Sequence, residues 1–306
     1  MTSRLPDAVA AFAQRGPGWD TWVRRLPRLV DDVLGEWRLR PDGAPRSGST
    51  ALVLPVTTDD GESAVLKLVG PGWEEEHEPL ALQHWGGRGT VQLLRADPRR
   101  RLLLLERLHD LDLRDQWDLE ACEVVAGLYG RLHRSAPPQL RPLSGAVARW
   151  SDRLAALPRD APLPRRLVEQ AVALGRGFAT DPATDGVMVH SDLHYENVLA
   201  AEREPWLAID PKPLSGDPHY EPAPMLWNRV EELDAAPGGV RDALRRRFHT
   251  LVDVAGLDEQ RARDWVVVRM LHNALWELED HPPGGATTPD RAWLTTCVTV
   301  AKAVQD

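Results

Sequence analysis

The chain changes its hydrophobic pattern near Asp110, and this change limits the folds that it can adopt. Before that point, short apolar runs alternate with polar turns, and the stretch 51–69, ALVLPVTTDDGESAVLKLV, predicts a β-hairpin. After it, apolar residues recur at helical spacing, first in the stretch 120–135, EACEVVAGLYGRLHRS. We therefore expect an α+β protein with a small antiparallel sheet followed by a mostly helical region.

The same division predicts two lobes, residues 1–108 and residues 109–306, joined near 106–110. In the first lobe, WEEEHEPLALQHWGG predicts one helix and VQLLRADPRRRLLLLERL predicts two further strands. In the second lobe, the short stretches VMVH, NVLAA and PWLAID predict strands among the helices. Its further helices are expected at 164–178, 222–233, 240–255, 259–280 and 291–304.

Composition and charge exclude several classes of function. The net charge of -9, with basic residues in scattered pairs, argues against a nucleic-acid partner and suits a cationic ligand. Cys122 and Cys297 lie far apart without a CxxC pattern, which is typical of a reduced intracellular protein. No apolar run approaches about 18 residues, and the N-terminal stretch lacks a signal-peptide core. We expect a cytoplasmic protein without a membrane partner.

Lysine is scarce, which makes one lysine conspicuous. The chain has only Lys67, Lys212 and Lys302, and Lys67 lies within the apolar run AVLKLV. A lysine in a buried strand needs an anion, and a phosphate group could supply it. The alternative is an edge strand whose lysine points into solvent. The nearby turn RSGST, at 46–50, could bring backbone N–H groups to phosphate, although it matches no glycine-rich phosphate-loop pattern.

The stretch 189–200, VHSDLHYENVLA, holds several polar groups between apolar ends. Asp192, Asn197 and the strand-terminal Asp210 would form an oxygen site that suits Mg²⁺. One of the two acids would then be available as a general base. Two alternatives stay open at this point: Asp192 and Asn197 cap a tight turn, or His190, Asp192 and His194 bind zinc in a metal hydrolase.

The order of these features resembles the protein-kinase-like fold. Within it, HSDLHYENVL and WLAIDPKPLSGDPHYEPAP look like the aminoglycoside phosphotransferases, nearest to the branch that contains streptomycin 6-phosphotransferase and hydroxyurea phosphotransferase. The resemblance covers about residues 46–221 through identifiable motifs. It implies an antiparallel-sheet N-terminal lobe that binds nucleotide and a helical C-terminal lobe with the catalytic loop and substrate site.

The resemblance also implies roles for single residues. Asp192 would be the catalytic base, and Asn197 and Asp210 would hold the metal ions. Lys67 would contact the α and β phosphates, and Glu78 would orient this lysine. Other residues implied at the nucleotide site are Ser47, Gly48 and Ser49 in the turn, and the segment from Glu106 to Leu108, whose backbone would meet adenine.

Three positions depart from the family pattern. Ser191 replaces the usual glycine of the HGD triplet. Glu221 stands where the GDPxxD pattern has aspartate, which makes the support of that segment less secure. Pro79 follows Glu78 directly, which leaves Glu74 as a rival partner for Lys67.

The expected function is phosphoryl transfer from ATP, or another nucleoside triphosphate, to a small cationic antibiotic, with Mg²⁺ as cofactor and a monomeric enzyme. Streptomycin, phosphorylated on its 6-hydroxyl, is the favoured acceptor. The alternatives are hydroxyurea, a viomycin-type peptide antibiotic or a metabolite. From other classes come a catalytically silent nucleotide-binding module and the metal hydrolase. Glu231, Glu277 and Asp280 are candidates for binding a cationic substrate, although each could belong to a solvated helix face.

Overall fold

The computed structural model describes residues 6–72, 74–281 and 287–305, apart from the side chains of residues 74 and 75. The chain forms two compact units. The first consists of residues 1–110 and 200–207, and the second of residues 111–199 and 208–306. The boundary predicted at residue 108 lies two residues from this division, and the sequence did not predict that residues 200–207 belong to the first unit.

The first unit contains a six-stranded antiparallel sheet. Its central strands run in the order β1, β3, β4, β6, β5, and β2 pairs with β3. In chain order the elements are α1 (Asp7–Ala10), α2 (Pro17–Glu36), β1 (Arg40–Pro41), β2 (Arg46–Ser47), β3 (Ala51–Thr57), β4 (Ser63–Val69), α3 (Glu78–Trp85), β5 (Leu93–Asp97) and β6 (Leu102–Glu106).

Strand alternation in β4 separates its core residues from its lysine. Leu66 and Leu68 are fully buried in a core cluster that also contains Leu26 and Val30 of α2. Because successive side chains of a strand point to opposite faces, Lys67 lies on the other face of the sheet. The predicted hairpin of β3 and β4 is confirmed.

The second unit is mostly helical. A three-stranded antiparallel sheet orders β11, β8 and β7, and β9 pairs with β10. In chain order the elements are α4 (Asp118–Leu132), β7 (Arg134–Ser135), α5 (Leu143–Ala155), α6 (Arg165–Thr180), β8 (Val187–Val189), β9 (Val198–Ala200), β10 (Trp206–Ala208), β11 (Leu214–Gly216), α7 (Ala223–Trp227), α8 (Gly239–Ala255), α9 (Glu259–Asp280) and α10 (Arg291–Ala303).

One predicted helix is wrong. Residues 222–233 do not form a single helix, because α7 ends at Trp227 and a separate 3₁₀ turn begins at Val230. Arg229 between them has a left-handed backbone with φ of 56°, which an α-helix cannot contain. The chain therefore turns at this point.

Helix α9 is buried on most of its circumference. Three successive residues, Val266, Val267 and Val268, have no exposed surface. A helix that is buried all round lies inside a protein core. It can therefore place polar side chains such as Arg269 in the interior. Within the described ranges, no helix has both the length and the apolar character needed to cross a membrane.

Candidate active site

Lys67 and Glu78 form a buried ion pair in the first unit. The Lys67 Nζ donates to both carboxylate oxygens of Glu78, at 2.7 and 2.8 Å. Glu78 is the first residue of α3, and Pro79 follows it in the first helical turn, where proline is tolerated. The Lys67 side chain is 8% exposed and that of Glu78 is 0% exposed. Glu78 is thus a partner of Lys67, whereas the side chain of its rival Glu74 lies outside the described residues.

The Gly/Ser turn of this unit connects β2 to β3. Ser47 ends β2, and the backbone N–H of Gly48 donates to the carbonyl of Ala51 at 2.9 Å. Gly48 and Ser49 are exposed. Because the turn is short and exposed, its remaining backbone groups could be reached by a ligand.

The segment from Glu106 to Leu108 begins at the last residue of β6 and continues beyond the strand. The Glu106 backbone N–H donates to the Gln92 carbonyl, and its carboxylate accepts from Arg203 at 2.8 Å. Within the described part of the chain, no hydrogen bond involves the backbone of Leu108. Its N–H and C=O could therefore bind the edge of a nucleobase.

His190 begins the polar loop between β8 and β9 in the second unit. Its Nε2 lies 2.9 Å from the carbonyl of Ile209, and its Nδ1 accepts the backbone N–H of Asp192 at 3.3 Å. Burial lowers the pKa of His190 to about 4, so the ring is neutral near pH 7. A neutral ring with the proton on Nε2 satisfies both contacts, because one nitrogen donates and the other accepts. His190 thus stabilises the loop.

Glu221 holds the backbone of the same loop. Its two carboxylate oxygens accept the N–H groups of His190, at 2.6 Å, and of Ser191, at 2.9 Å. Burial by itself would raise the pKa of Glu221, but the His133 ring and the His190 N–H lower it below its usual value. From the sequence alone, the support of this segment is less secure, because Glu221 replaces the aspartate of the GDPxxD pattern. In the structure, the longer side chain reaches two successive N–H groups.

Ser191 has a left-handed backbone, with φ of 62°, which favours glycine. Its hydroxyl donates to the carbonyl of Lys212 at 2.5 Å. Its own carbonyl accepts a hydrogen bond from Arg269 of α9, whose guanidinium lies 4.1 Å from the centre of the Tyr220 ring. These contacts hold Ser191 in a conformation that is strained for a residue with a Cβ atom.

Asp192 is partly buried and surrounded by charges of both signs. Burial raises the pKa of Asp192 to about 7. Lys212 and Arg269 act in the opposite direction, whereas Asp210 and Glu221 add to the increase. A carboxylate with a pKa near neutrality is suited to accept a proton from a hydroxyl group during a reaction.

Asn197 and Asp210 offer the oxygen atoms that a hard cation prefers. The Asn197 Nδ2 donates to the Asp192 carbonyl at 2.7 Å and lies 3.1 Å from the His194 Nε2. Among the described residues, nothing donates to the Asn197 Oδ1. Asp210 lies two residues after the end of β10, not at the strand end that the sequence predicted, and has a left-handed backbone with φ of 55°. An amide oxygen, a carboxylate and the oxygens of a phosphate would together suit Mg²⁺.

The zinc alternative loses support from the same contacts. The Nε2 atoms of His190 and His194 are both engaged, with the Ile209 carbonyl and the Asn197 amide. In residues 6–72, 74–281 and 287–305, no three or more His, Cys, Asp or Glu side chains form a group that could hold a metal ion. The geometry therefore does not favour a histidine-based metal hydrolase.

The three candidate substrate residues lie on separate stretches of the second unit. Glu231 is exposed on the 3₁₀ turn after α7, and Asp280 is exposed at the end of α9. Glu277 is less available, because it accepts the backbone N–H of Asp290 and lies 3.1 Å from the His281 ring. Among the described residues, no hydrogen bond or ion pair joins any two of these three side chains. Their role stays a prediction.

Sequence reasoning missed two groups at the loop, Lys212 and Arg269. Lys212 lies two residues after Asp210, and the scarcity of lysine could have drawn attention to it. Arg269 is one of many arginines and lies 78 residues from Ser191 in the chain. Nothing in the local sequence marks it.

Two substitutions at Ser191 should separate strain from hydrogen bonding. Ser191→Ala keeps the strained backbone and loses a hydrogen bond, so we expect the free energy of unfolding to fall by about 1 kcal/mol. Ser191→Gly loses the same bond but relieves about 1 kcal/mol of strain, so its stability should stay near that of the wild type. Urea denaturation measures both. An alanine variant as stable as the glycine variant would contradict the assignment of strain.

Comparison with known proteins places the chain in a family. The family model for aminoglycoside/hydroxyurea antibiotic resistance kinases matches residues 36–281. The chain belongs to this family. The resemblance stated from the motifs is confirmed.

Individual relatives agree with this assignment. The kinase is 41% identical to a streptomycin 6-kinase of Streptomyces glaucescens, over 98% of this chain and 97% of the relative. It is 42% identical to a hydroxyurea phosphotransferase of Kitasatospora aureofaciens, over 92% of this chain and 81% of the relative.

A solved structure shows the fold. The kinase superposes with a TM-score of 0.59 and 14% identity on a thermostable mutant of aminoglycoside phosphotransferase APH(4)-Ia, over 90% of this chain and 98% of that one. That structure is a ternary complex with ADP and hygromycin B. The expected protein-kinase-like α+β fold, with an antiparallel sheet in the N-terminal part and a mostly helical C-terminal part, is confirmed.

Proposed function

We propose that this kinase transfers the γ-phosphoryl group of ATP to the 6-hydroxyl of streptomycin and thereby inactivates the antibiotic. The observation that carries the proposal is the 41% identity to a streptomycin 6-kinase along almost the whole of both chains. The geometry of the second unit supports it, because a loop fixed at several points presents one acid with a raised pKa.

In this proposal Asp192 is the catalytic base. It accepts the proton of the acceptor hydroxyl as the new bond between that oxygen and the γ-phosphorus forms. The bond between the γ-phosphorus and the bridging oxygen breaks, and its electron pair leaves with ADP. Such transfer needs mainly positioning and the neutralisation of charge. His190 and Glu221 act as positioning residues, since they fix the backbone that carries Asp192.

The nucleotide and its cation have separate sets of residues. Lys67, oriented by Glu78, binds the α and β phosphates. The turn formed by Ser47, Gly48 and Ser49 covers the phosphates. The segment from Glu106 to Leu108 binds adenine. Residues 1–108 thereby form the nucleotide-binding lobe, and residues 109–306 supply the base and the substrate site.

Asn197 and Asp210 hold Mg²⁺, which when bound neutralises charge on the phosphates. The all-oxygen set of donors supports Mg²⁺ over a softer metal. The two buried, unpaired cysteines, Cys122 and Cys297, support a cytoplasmic location. The proposal further takes the enzyme as a monomer and assigns Glu231, Glu277 and Asp280 to the cationic substrate.

Hydroxyurea phosphorylation is the second candidate, favoured by the 42% identity to a hydroxyurea phosphotransferase. The two acceptors differ in charge and size, since streptomycin is a large cation and hydroxyurea is a small neutral molecule.

The deciding experiment measures ATP consumption with streptomycin, other aminoglycosides, viomycin and hydroxyurea, and determines the phosphorylated position by NMR. Turnover of streptomycin with phosphate on the 6-oxygen is expected. Turnover of hydroxyurea alone would overturn the favoured acceptor.

A further inference from the structure

Lys212 stands out because arginine supplies most of the positive charge in this chain. Only three of the 37 basic residues are lysines. Lys302 is exposed on α10, whereas the Lys212 side chain is only 12% exposed. Lysine differs from arginine in being a compact point charge with rotatable donors. The use of lysine at a partly buried position suggests a ligand that needs this geometry.

The backbone around Lys212 is fixed to the catalytic loop. Its N–H donates to the carbonyl of His190 at 3.0 Å, and its carbonyl accepts the hydroxyl of Ser191 at 2.5 Å. Pro211 and Pro213 on either side restrict the backbone further. The Lys212 side chain therefore starts from a well-defined position on the loop that carries Asp192.

The ammonium group lies among the acids of the second unit. Its Nζ is 3.0 Å from the Asp210 Oδ1, and it is also the basic group that most strongly favours the charged form of Asp192. In the proposed reaction, Asp192 contacts the acceptor oxygen and Asp210 binds the Mg²⁺ ion at the phosphates. A cation that acts on both acids is therefore near the path of the phosphoryl group.

We propose that Lys212 is a further catalytic residue, whose ammonium group contacts the phosphoryl group during its transfer. The inference rests on the proposed kinase reaction. In that reaction negative charge is spread over the three equatorial oxygens of the phosphoryl group. An ammonium group held close to them stabilises this charge in the transition state. Lys212 does so with donors that can turn from Asp210 to phosphate.

The test compares two nucleotides that differ in the γ-phosphate. Calorimetry should show that Lys212→Met binds AMP-PNP at least about 10-fold more weakly than the wild type, because a charged hydrogen bond is lost. Its affinity for ADP should stay within about twofold. Lys302→Met is the matched control and should change neither affinity. Equal losses for both nucleotides, or no loss for either, would show that Lys212 serves only the structure.

Folding and turnover are followed in parallel. Thermal unfolding checks each variant. Lys212→Gln, which keeps a hydrogen-bond donor but removes the charge and is one bond shorter, should show the same nucleotide pattern. With streptomycin, kcat should fall by about 100-fold or more while KM for streptomycin changes little. The nucleotide comparison needs no acceptor, so its outcome stands apart from a failure of wild-type enzyme to phosphorylate streptomycin.

Discussion

Asp192→Asn is expected to lower kcat for streptomycin phosphorylation by about 10³-fold, within the usual range of general-base catalysis, while ATP affinity stays within about twofold. The amide keeps the size of the side chain but cannot take the proton of the acceptor hydroxyl. Steady-state kinetics and calorimetry with ATP measure the two effects. Asp253→Asn, an exposed change on α8, is the matched control. Full turnover in Asp192→Asn would remove Asp192 from the role of base.

The same variant has an expected effect on stability. The folded-state pKa of Asp192, about 7, is above the ordinary value of 3.8, so the native state binds more protons than the unfolded chain between these values. Stability therefore falls as pH rises through this window. Asp192→Asn removes this pH-dependent loss of stability. The variant should therefore unfold at a higher temperature than the wild type at pH 8, and the difference should be smaller at pH 5. Measurements in EDTA without nucleotide avoid bound cations. A wild type more stable than the variant at pH 8 would contradict the buried charge.

Breaking the Lys67–Glu78 pair is expected to have the largest effect on stability. Glu78→Ala removes the two-oxygen partner of a lysine that is 8% exposed. The loss of one member of a buried pair typically reduces the free energy of unfolding by about 3–5 kcal/mol. Denaturant unfolding measures this loss. We also expect ATP affinity to fall, since the ammonium group is no longer oriented.

A double substitution separates the two roles of this pair. Lys67→Met with Glu78→Leu replaces both charges by apolar groups, which often leaves stability within about 1–2 kcal/mol of the wild type. Activity should nevertheless be lost, because no ammonium group remains for the phosphates. A stable and active double variant would exclude Lys67 from nucleotide binding. A double variant as unstable as Glu78→Ala would show that packing, not charge, dominates here.

The parts of the fold that depend on local pattern were predictable. Helix α9 has the bounds 259–280 that its spacing predicted, and the β3–β4 hairpin follows from two apolar runs around a polar turn. The turn at Arg229 was not predictable from periodicity, because the apolar spacing continues across it. Helix α2 was not predicted, although Leu26 and Val30 have helical spacing, and the internal Pro27 obscures the pattern.

The residues of the candidate site also divide into those that a local motif indicates and those that depend on tertiary packing. Asp192 and Asn197 are five residues apart in one loop, so a short motif can indicate both. Arg269 reaches this loop only through the packing of α9, and its contact with Ser191 depends on the tertiary structure. The raised pKa of Asp192 also depends on burial, which a motif does not specify.

The alternation of β4 has a consequence for how the sheet assembles. Lys67 pairs in register with Val53 on one side and Leu103 on the other, while Leu66 and Leu68 enter the core. A slip of one residue would exchange these faces and put an ammonium group among apolar side chains. Misaligned hairpins are therefore penalised during folding by the charge proposed to bind ATP. The amino group that we propose as a nucleotide contact therefore also helps to select the correct alignment of β3 and β4.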